Sequence, residues 1–360
     1  MSGDLFKQHQ AERPRSSKFL CFLMLRVPVG GPSWRVRSVR SFSGFGCFVG
    51  IALWACSNLH AELVTFGTGG NAFTMDFVYV GDAGNADDTA GQPNPAGRVS
   101  YNYAIGKYEV RQSFINKYNS EFGTSNSLEI SLLTGATGVG DDKPAAGVSW
   151  NEAARFVNWL NTSQGYTAAY KFTGSGVNDN IDLWVSGDAG YDAANPFRNS
   201  LAKFVLPSVD EWYKAAYYDP VTDSYFQYAT GSNTAPTSVP GGGTTAGTAV
   251  YDTQSAPGAV DLAGGLSPFG TMGQDGNLIE FNETALDLTN DSVSEARIAR
   301  GGRWDDTGIG RFPLGSRSPS SDTLDGIGFR VVMLRVVPEP SSLALLLAGV
   351  IGVGYRRWRR

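Results

Sequence analysis

Leu206-Pro207-Ser208-Val209-Asp210-Glu211-Trp212-Tyr213-Lys214-Ala215-Ala216 reads as the end of a buried strand that turns directly into a helix. Phe204-Val205-Leu206 is an apolar run, Pro207 stops it, and Ser208 with Glu211 three residues later forms a capping box in which each side chain satisfies the other's backbone N–H. Trp212, Ala215 and Ala216 then fall on one helical face. The same grammar occurs upstream in Val148-Ser149-Trp150-Asn151-Glu152-Ala153-Ala154-Arg155-Phe156-Val157-Asn158-Trp159-Leu160-Asn161. Ser149 caps, Glu152 closes the box, and Ala153, Phe156, Val157 and Leu160 share a face, which predicts the best helix of the chain.

Outward from these helices the pattern changes to strands and loops. Phe77-Val78-Tyr79-Val80 and the run from Tyr101 to Val110 are aromatic and β-branched and bounded by Gly, Asn and Asp, so strands are expected there. A short helix is predicted from Arg111 to Tyr118. Residues 229–271 are rich in Gly, Ser, Thr and Pro and predict long irregular loops, and late strands are expected over 300–304 and 328–332. With 42% apolar residues the chain can bury a core, and 45 glycines argue for tight turns over a helical bundle. Few helices, many short strands and long loops make the expected class α+β. No repeat or low-complexity linker divides residues 63–335, so one domain is expected between two end segments.

The ends are export signals. Arg35, Arg37 and Arg40, an apolar stretch from Phe42 to Ala55 and the small-residue site Leu59-His60-Ala61 read as the three regions of a signal peptide, with cleavage after Ala61 by signal peptidase. Residues 1–61 are thus an N-terminal extension and signal peptide. At the other end Val337-Pro338-Glu339-Pro340 leads into an apolar run from Leu343 to Gly354 and then Arg356, Arg357, Arg359 and Arg360. That run is shorter than the ~20 residues a stable membrane helix needs, and the arginines hold the end in the cytoplasm. The segment 337–360 resembles a PEP-CTERM sorting signal, which implies transient inner-membrane anchoring by a short transmembrane segment. It also implies an exosortase as partner and release to the cell surface or exterior. An ordinary single-span anchor is the alternative.

The leader holds eight Lys/Arg against two acids and the tail four Arg against one, so the formal charge of −5 becomes −14 for the middle of the chain. Such a surface repels nucleic acid. All three cysteines and both histidines lie at or before residue 60. Residues 62–336 therefore offer no disulfide, no thiol or imidazole nucleophile and no soft metal ligand; only oxygen donors remain.

Five motifs in order resemble the formylglycine-generating enzyme, or sulfatase-modifying factor, domain. They are Val148-Ser149-Trp150 with Ala153, Leu206 through Ala216, Phe269-Gly270-Thr271-Met272 through Gly276-Asn277-Leu278-Ile279-Glu280-Phe281, Arg300-Gly301-Gly302-Arg303-Trp304, and Gly328-Phe329-Arg330. The resemblance implies an irregular C-type-lectin-like fold over residues 62–336, structural calcium, and an oxidase that converts a sulfatase cysteine to formylglycine with a copper-binding cysteine pair. Counted back from Arg317-Ser318, those positions fall near Ile309 and Leu314, neither a cysteine, and Arg303 and Ile279 depart from the family's Ser and Trp. Neither copper nor iron is expected. For calcium the resemblance implies the Gly276 and Leu278 carbonyls and the Glu280 carboxylate as ligands. Gly273 stands where an acidic or amide ligand is usual, and Asp275 is the available substitute.

Of the remaining chemistry, Asp87-Asp88, Asp141-Asp142 and Asp305-Asp306 are adjacent acids of the kind that serve acid–base catalysis, and equally ordinary loop residues. Trp184, Tyr191, Trp212, Tyr217, Tyr218, Tyr225 and Tyr228 would suit either a sugar-stacking platform or the core. The expectation is an exported, non-catalytic domain that binds, or forms part of, the extracellular polysaccharide layer. The alternatives are an oxidoreductase of the formylglycine-generating type, or another enzyme with oxygen-only metal ligands in the loops 220–275.

Overall fold

The computed structural model describes residues 62–311, 315–317 and 326–334. The leader, the sorting tail and Leu314 lie outside them. Among the described residues no helix is long and apolar enough to cross a membrane; the apolar run of the tail falls outside that statement.

The first sheet takes its strands from both ends of the domain. Its strands are β1 Glu62–Phe66, β2 Phe73–Val80, β3 Tyr103–Gly106 and β4 Phe204–Val205, closed by β13 Val332–Leu334, in the order β1-β2-β3-β13-β4 with every neighbour antiparallel. Between β3 and β4 run α1 Gln112–Tyr118 and α2 Trp150–Ser163, and α3 Val209–Tyr217 follows β4. Two short pairs come next: β5 Tyr218–Asp219 with β6 Ser224–Tyr225, and β7 Thr237–Ser238 with β8 Thr248–Ala249. The second sheet orders as β11-β10-β9-β12, from β9 Ile279–Ala285, β10 Arg297–Arg300, β11 Gly315–Arg317 and β12 Ile327–Gly328, with β12 parallel to β9.

Both capping boxes form. Glu152 N–H donates to Ser149 Oγ at 3.1 Å while Ser149 N–H donates to Glu152 Oε2 at 2.7 Å; the pair Ser208 and Glu211 repeats this at 3.1 and 2.6 Å. The predicted face of α2 is fully buried, including Ala153, Phe156, Val157 and Leu160, and burying the three larger side chains contributes roughly 1.5–3 kcal/mol each. Asn161 at its end is a clamp: its Nδ2 donates to Phe204 O at 2.7 Å and its Oδ1 accepts from Lys203 and Phe204 N–H, each at 2.9 Å. A buried amide thereby replaces the partners that β4, at the sheet edge, would otherwise lack. Phe66, Phe73, Phe156, Trp159, Tyr118 and Phe329 fill the space between helix and sheet in edge and stacked contacts.

Two late elements differ from expectation. The stretch 300–304 is not a strand: β10 ends at Arg300 because Gly301 and Gly302 take φ of 103° and 75°, values that strand residues do not adopt. Gly328-Phe329-Arg330 is not one strand either; β12 ends at Gly328 and β13 begins at Val332, so Phe329 and Arg330 cross from one sheet to the other. The first strand, Glu62–Phe66, carries too little pattern to be read from its five residues.

Candidate functional site

The segment Gly276 to Glu280 is held by its backbone before its side chains act. Gly276 sits at φ 93° with a would-be Cβ only 2.1 Å from Val250 O, and Asn277 follows at φ 60°. Asn277 N–H donates to Val250 O at 2.8 Å, its Oδ1 accepts from Gly258 N–H at 2.8 Å, and its Nδ2 donates to the buried Glu109, which also accepts Leu278 N–H at 2.9 Å. Two residues on, Glu280 is fully buried. Arg330 Nε donates to its Oε2 at 2.5 Å and Arg330 Nη2 to its Oε1, and Trp212 Nε1 donates to Oε2 at 2.7 Å. Arg330 is equally buried and spends its remaining donors on Gly106 O and Met272 O at 3.0 Å and on Lys107 O at 3.3 Å. Burial, and then the charge of Glu280, push the Glu109 carboxyl up to about 8, while Arg330 and the two N–H donors pull the other way.

This arrangement answers the calcium expectation at Gly276, Leu278 and Glu280. The carboxylate that would carry the cation's charge has both oxygens taken by a guanidinium and an indole N–H, so a divalent ion would have to displace Arg330 into a buried, unpaired state. The three residues do not fit calcium; Glu280 is instead the centre of a latch joining β9, α3 and the crossing segment at Arg330. Asp275 points elsewhere. Its Oδ2 accepts Ala229 N–H at 2.6 Å, it also accepts from Gly310 N–H, and burial pushes its carboxyl up to about 7. Gly273 lies beside Glu109. Among the described residues no group of three or more His, Cys, Asp or Glu is gathered closely enough to hold a metal ion.

Asp275 also bears on the oxidase positions. By bonding Gly310 N–H it pins the loop that carries Ile309, which is half-buried with its Cγ2 against Gly302. A branched alkyl group has no lone pair for copper and no thiol to oxidise, so the described half of the expected pair carries none of the oxidase chemistry. The loops 220–275 enclose, beside Asp275, a cavity of about 10 Å³, room for one water at most.

A second buried ionic cluster lies at the edge of the first sheet. Arg198 donates to Glu211 through Nη1 and Nη2 at 3.0 and 2.9 Å, to Glu283 Oε2 through Nε at 2.9 Å, and to Leu206 O at 2.8 Å. Tyr170 and Asn195 complete Glu283 at 2.7 and 2.6 Å, and the Tyr101 hydroxyl donates to Glu211 at 2.7 Å. Burial acts to raise the Glu211 carboxyl, but the Arg198 charge and hydrogen bonds outweigh it and hold it below the ordinary carboxylate range. Glu211, read from sequence only as a helix cap, therefore does two jobs. The cluster floors a cleft of about 410 Å³ lined by Tyr101, Asn102, Asp192, Asn195, Arg198, Ser200 and Leu334. A neighbouring cleft of about 320 Å³, reached past Pro93, Pro95 and Thr284, shares Asn195 as a wall.

The other sequence candidates disperse. Trp212, Tyr217 and Tyr218 are core, and Trp184, Tyr191, Tyr225 and Tyr228 are half-buried at separate places. Asp88 is buried between Tyr213 and Arg311, whereas Asp87 faces Arg98; Asp142 pairs with Arg111, and Asp305 with Arg303. Of the three adjacent pairs only Asp305-Asp306 converges, and it does so on Arg303, whose backbone N–H donates to Asp306 Oδ2 at 2.9 Å while its side chain takes Asp305. The residue that sequence reasoning missed is Tyr101, which is 42% exposed beside the larger cleft.

Residues 65–334 match the family described as sulfatase-modifying factor enzyme 1-like domain, and residues 336–360 match the PEP-CTERM protein-sorting motif. Among solved structures the chain resembles Treponema denticola variable protein 1, at 20% identity and a TM-score of 0.53 over 76% of this chain and 98% of that one. It also resembles CarF, at 19% identity and a TM-score of 0.48 over 77% and 99%. At such identity the first likeness speaks for the fold alone. No curated protein matches the sequence. The sorting motif marks the chain for export to the cell surface or exterior, with an exosortase as the partner that reads it. The chain belongs to the sulfatase-modifying factor enzyme 1-like family, in an exported form.

Proposed function

We propose that this protein is a non-catalytic member of its family that works outside the cell as a binding component of the polysaccharide layer. In this reading residues 1–61 are a leader removed by signal peptidase, 62–336 form the working domain, and 337–360 anchor the chain briefly at the inner membrane until processing. The observation that carries the non-catalytic reading is Ile309 at an oxidase position, in a stretch from 62 to 360 that holds neither cysteine nor histidine. The buried latch at Glu280 and the cluster at Arg198 favour the same reading: their ionic groups are consumed in holding the fold and are not turned toward a substrate. The test is incubation of the purified protein with a cysteine-containing sulfatase peptide, oxygen and copper, read by mass spectrometry. The peptide thiol is expected to remain unconverted; aldehyde formation would refute the proposal.

A further inference from the structure

We propose that the cleft between Tyr101 and Ser200 is a subsite for a neutral glycan chain; this rests on the binding role proposed above and names where and what it binds. Tyr101 is an exposed residue that lines the cleft, yet its hydroxyl is tied to Glu211, itself fixed by Arg198 and by Ser208 N–H. A flat apolar face held immobile loses little entropy when a sugar ring stacks on it. On the wall beside it the half-buried Asn102 adds an amide to the lining. Asn195 is held by bonds to Glu283 and from Asn290, and Ser200 and Asp192 complete a polar rim.

Charge selects the class. Among the described lining residues the charged ones are Arg198 and Asp192, and Arg198 is already paired with the buried Glu211 and Glu283. The described lining thus offers no unpaired cation to uronates, sulfated sugars or phosphates, which favours a neutral ligand. Its volume of about 410 Å³ is within the range of small-ligand sites, and the second cleft on the far side of Asn195 gives a polymer room to continue.

The test measures retention of the purified exported protein on immobilised dextran, mannan and galactan, with polygalacturonate and heparin as acidic counterparts. The wild type is expected to bind at least one neutral polymer more tightly than either acidic one. Tyr101→Ala weakens that binding about tenfold, the equivalent of ~1.4 kcal/mol, and Tyr101→Phe, which keeps the ring, weakens it less. Because Tyr101→Ala also removes a bond to Glu211, Ser200→Trp provides a second variant: Ser200 bonds only Gly190 O at an exposed position, and an indole there fills the cleft without removing any bond of the ionic cluster. Trp184→Ala, at a different cleft, leaves binding unchanged. Neutral binding that survives both Tyr101→Ala and Ser200→Trp overturns the cleft assignment and leaves the binding role standing. Preference for the acidic polymers overturns the ligand class, and retention on none of the five overturns the cleft and the binding role together.

Discussion

Replacing Arg330 by Met is the sharpest probe of the latch. Arg330 and Glu280 are both fully buried, and Arg330 makes two bonds to the carboxylate and three more to Gly106 O, Lys107 O and Met272 O. Its loss leaves a buried carboxylate with Trp212 as sole donor, close to Glu109, and withdraws a donor from three carbonyls. Breaking one side of such a pair costs about 3–5 kcal/mol, against a total stability of roughly 5–15 kcal/mol for a domain. Glu280→Gln should cost less, near ~3 kcal/mol, because removing its charge withdraws the second cause that holds Glu109 protonated, and Glu109 can then ionise against Arg330. The double substitution should cost less than the sum of the singles, since the two residues share one interaction. Urea unfolding followed by tryptophan fluorescence gives all three numbers. A cost below ~1 kcal/mol for Arg330→Met would refute the latch, and a stabilisation by calcium that Glu280→Gln abolishes would restore the metal site.

Other outcomes follow from individual groups. Burial holds the Asp275 carboxyl near 7 in the fold, above its value in the unfolded chain of ~3.9. The native state therefore binds the extra proton: the associated stability is full below the unfolded value and is lost as pH rises through 7. The urea midpoint should fall between pH 5 and pH 8, and Asp275→Asn should flatten that slope; an unchanged slope would sink the assignment. Ser208→Ala removes the cap of α3 and should cost ~1 kcal/mol in thermal unfolding. Gly276→Ala places a methyl 2.1 Å from Val250 O at a φ of 93°, so the soluble yield of that variant should collapse whereas Gly69→Ala, with open space around it, should fold with only its backbone strain to bear.

The parts of this fold that sequence revealed are local. Capping boxes span four residues, the α2 face repeats every three or four, and export signals are linear. Glu280 shows the opposite case: beside Gly276 and Asn277 a carboxylate looks like a hard-oxygen donor, and only the approach of Trp212, 68 residues earlier, and Arg330, 50 residues later, makes it half of an ion pair. The strand expected over 300–304 fails because the two consecutive glycines of that motif are backbone turning points. Sequence places Tyr101 in a strand but not at a site, because its surroundings come from residues 192–200, Glu211 and Leu334, which sequence spacing does not bring together. The aromatic candidates around Trp212 were conspicuous for the reason that made them unavailable, since dense aromatic helices are what cores consume.

The central claim is a binding role that needs no metal. Its most direct test is retention of the purified exported protein on extracellular polysaccharide from the cells that make it, measured in calcium and again in chelator. Equal retention in both is the predicted result; loss of retention in chelator, or none in either, would contradict it.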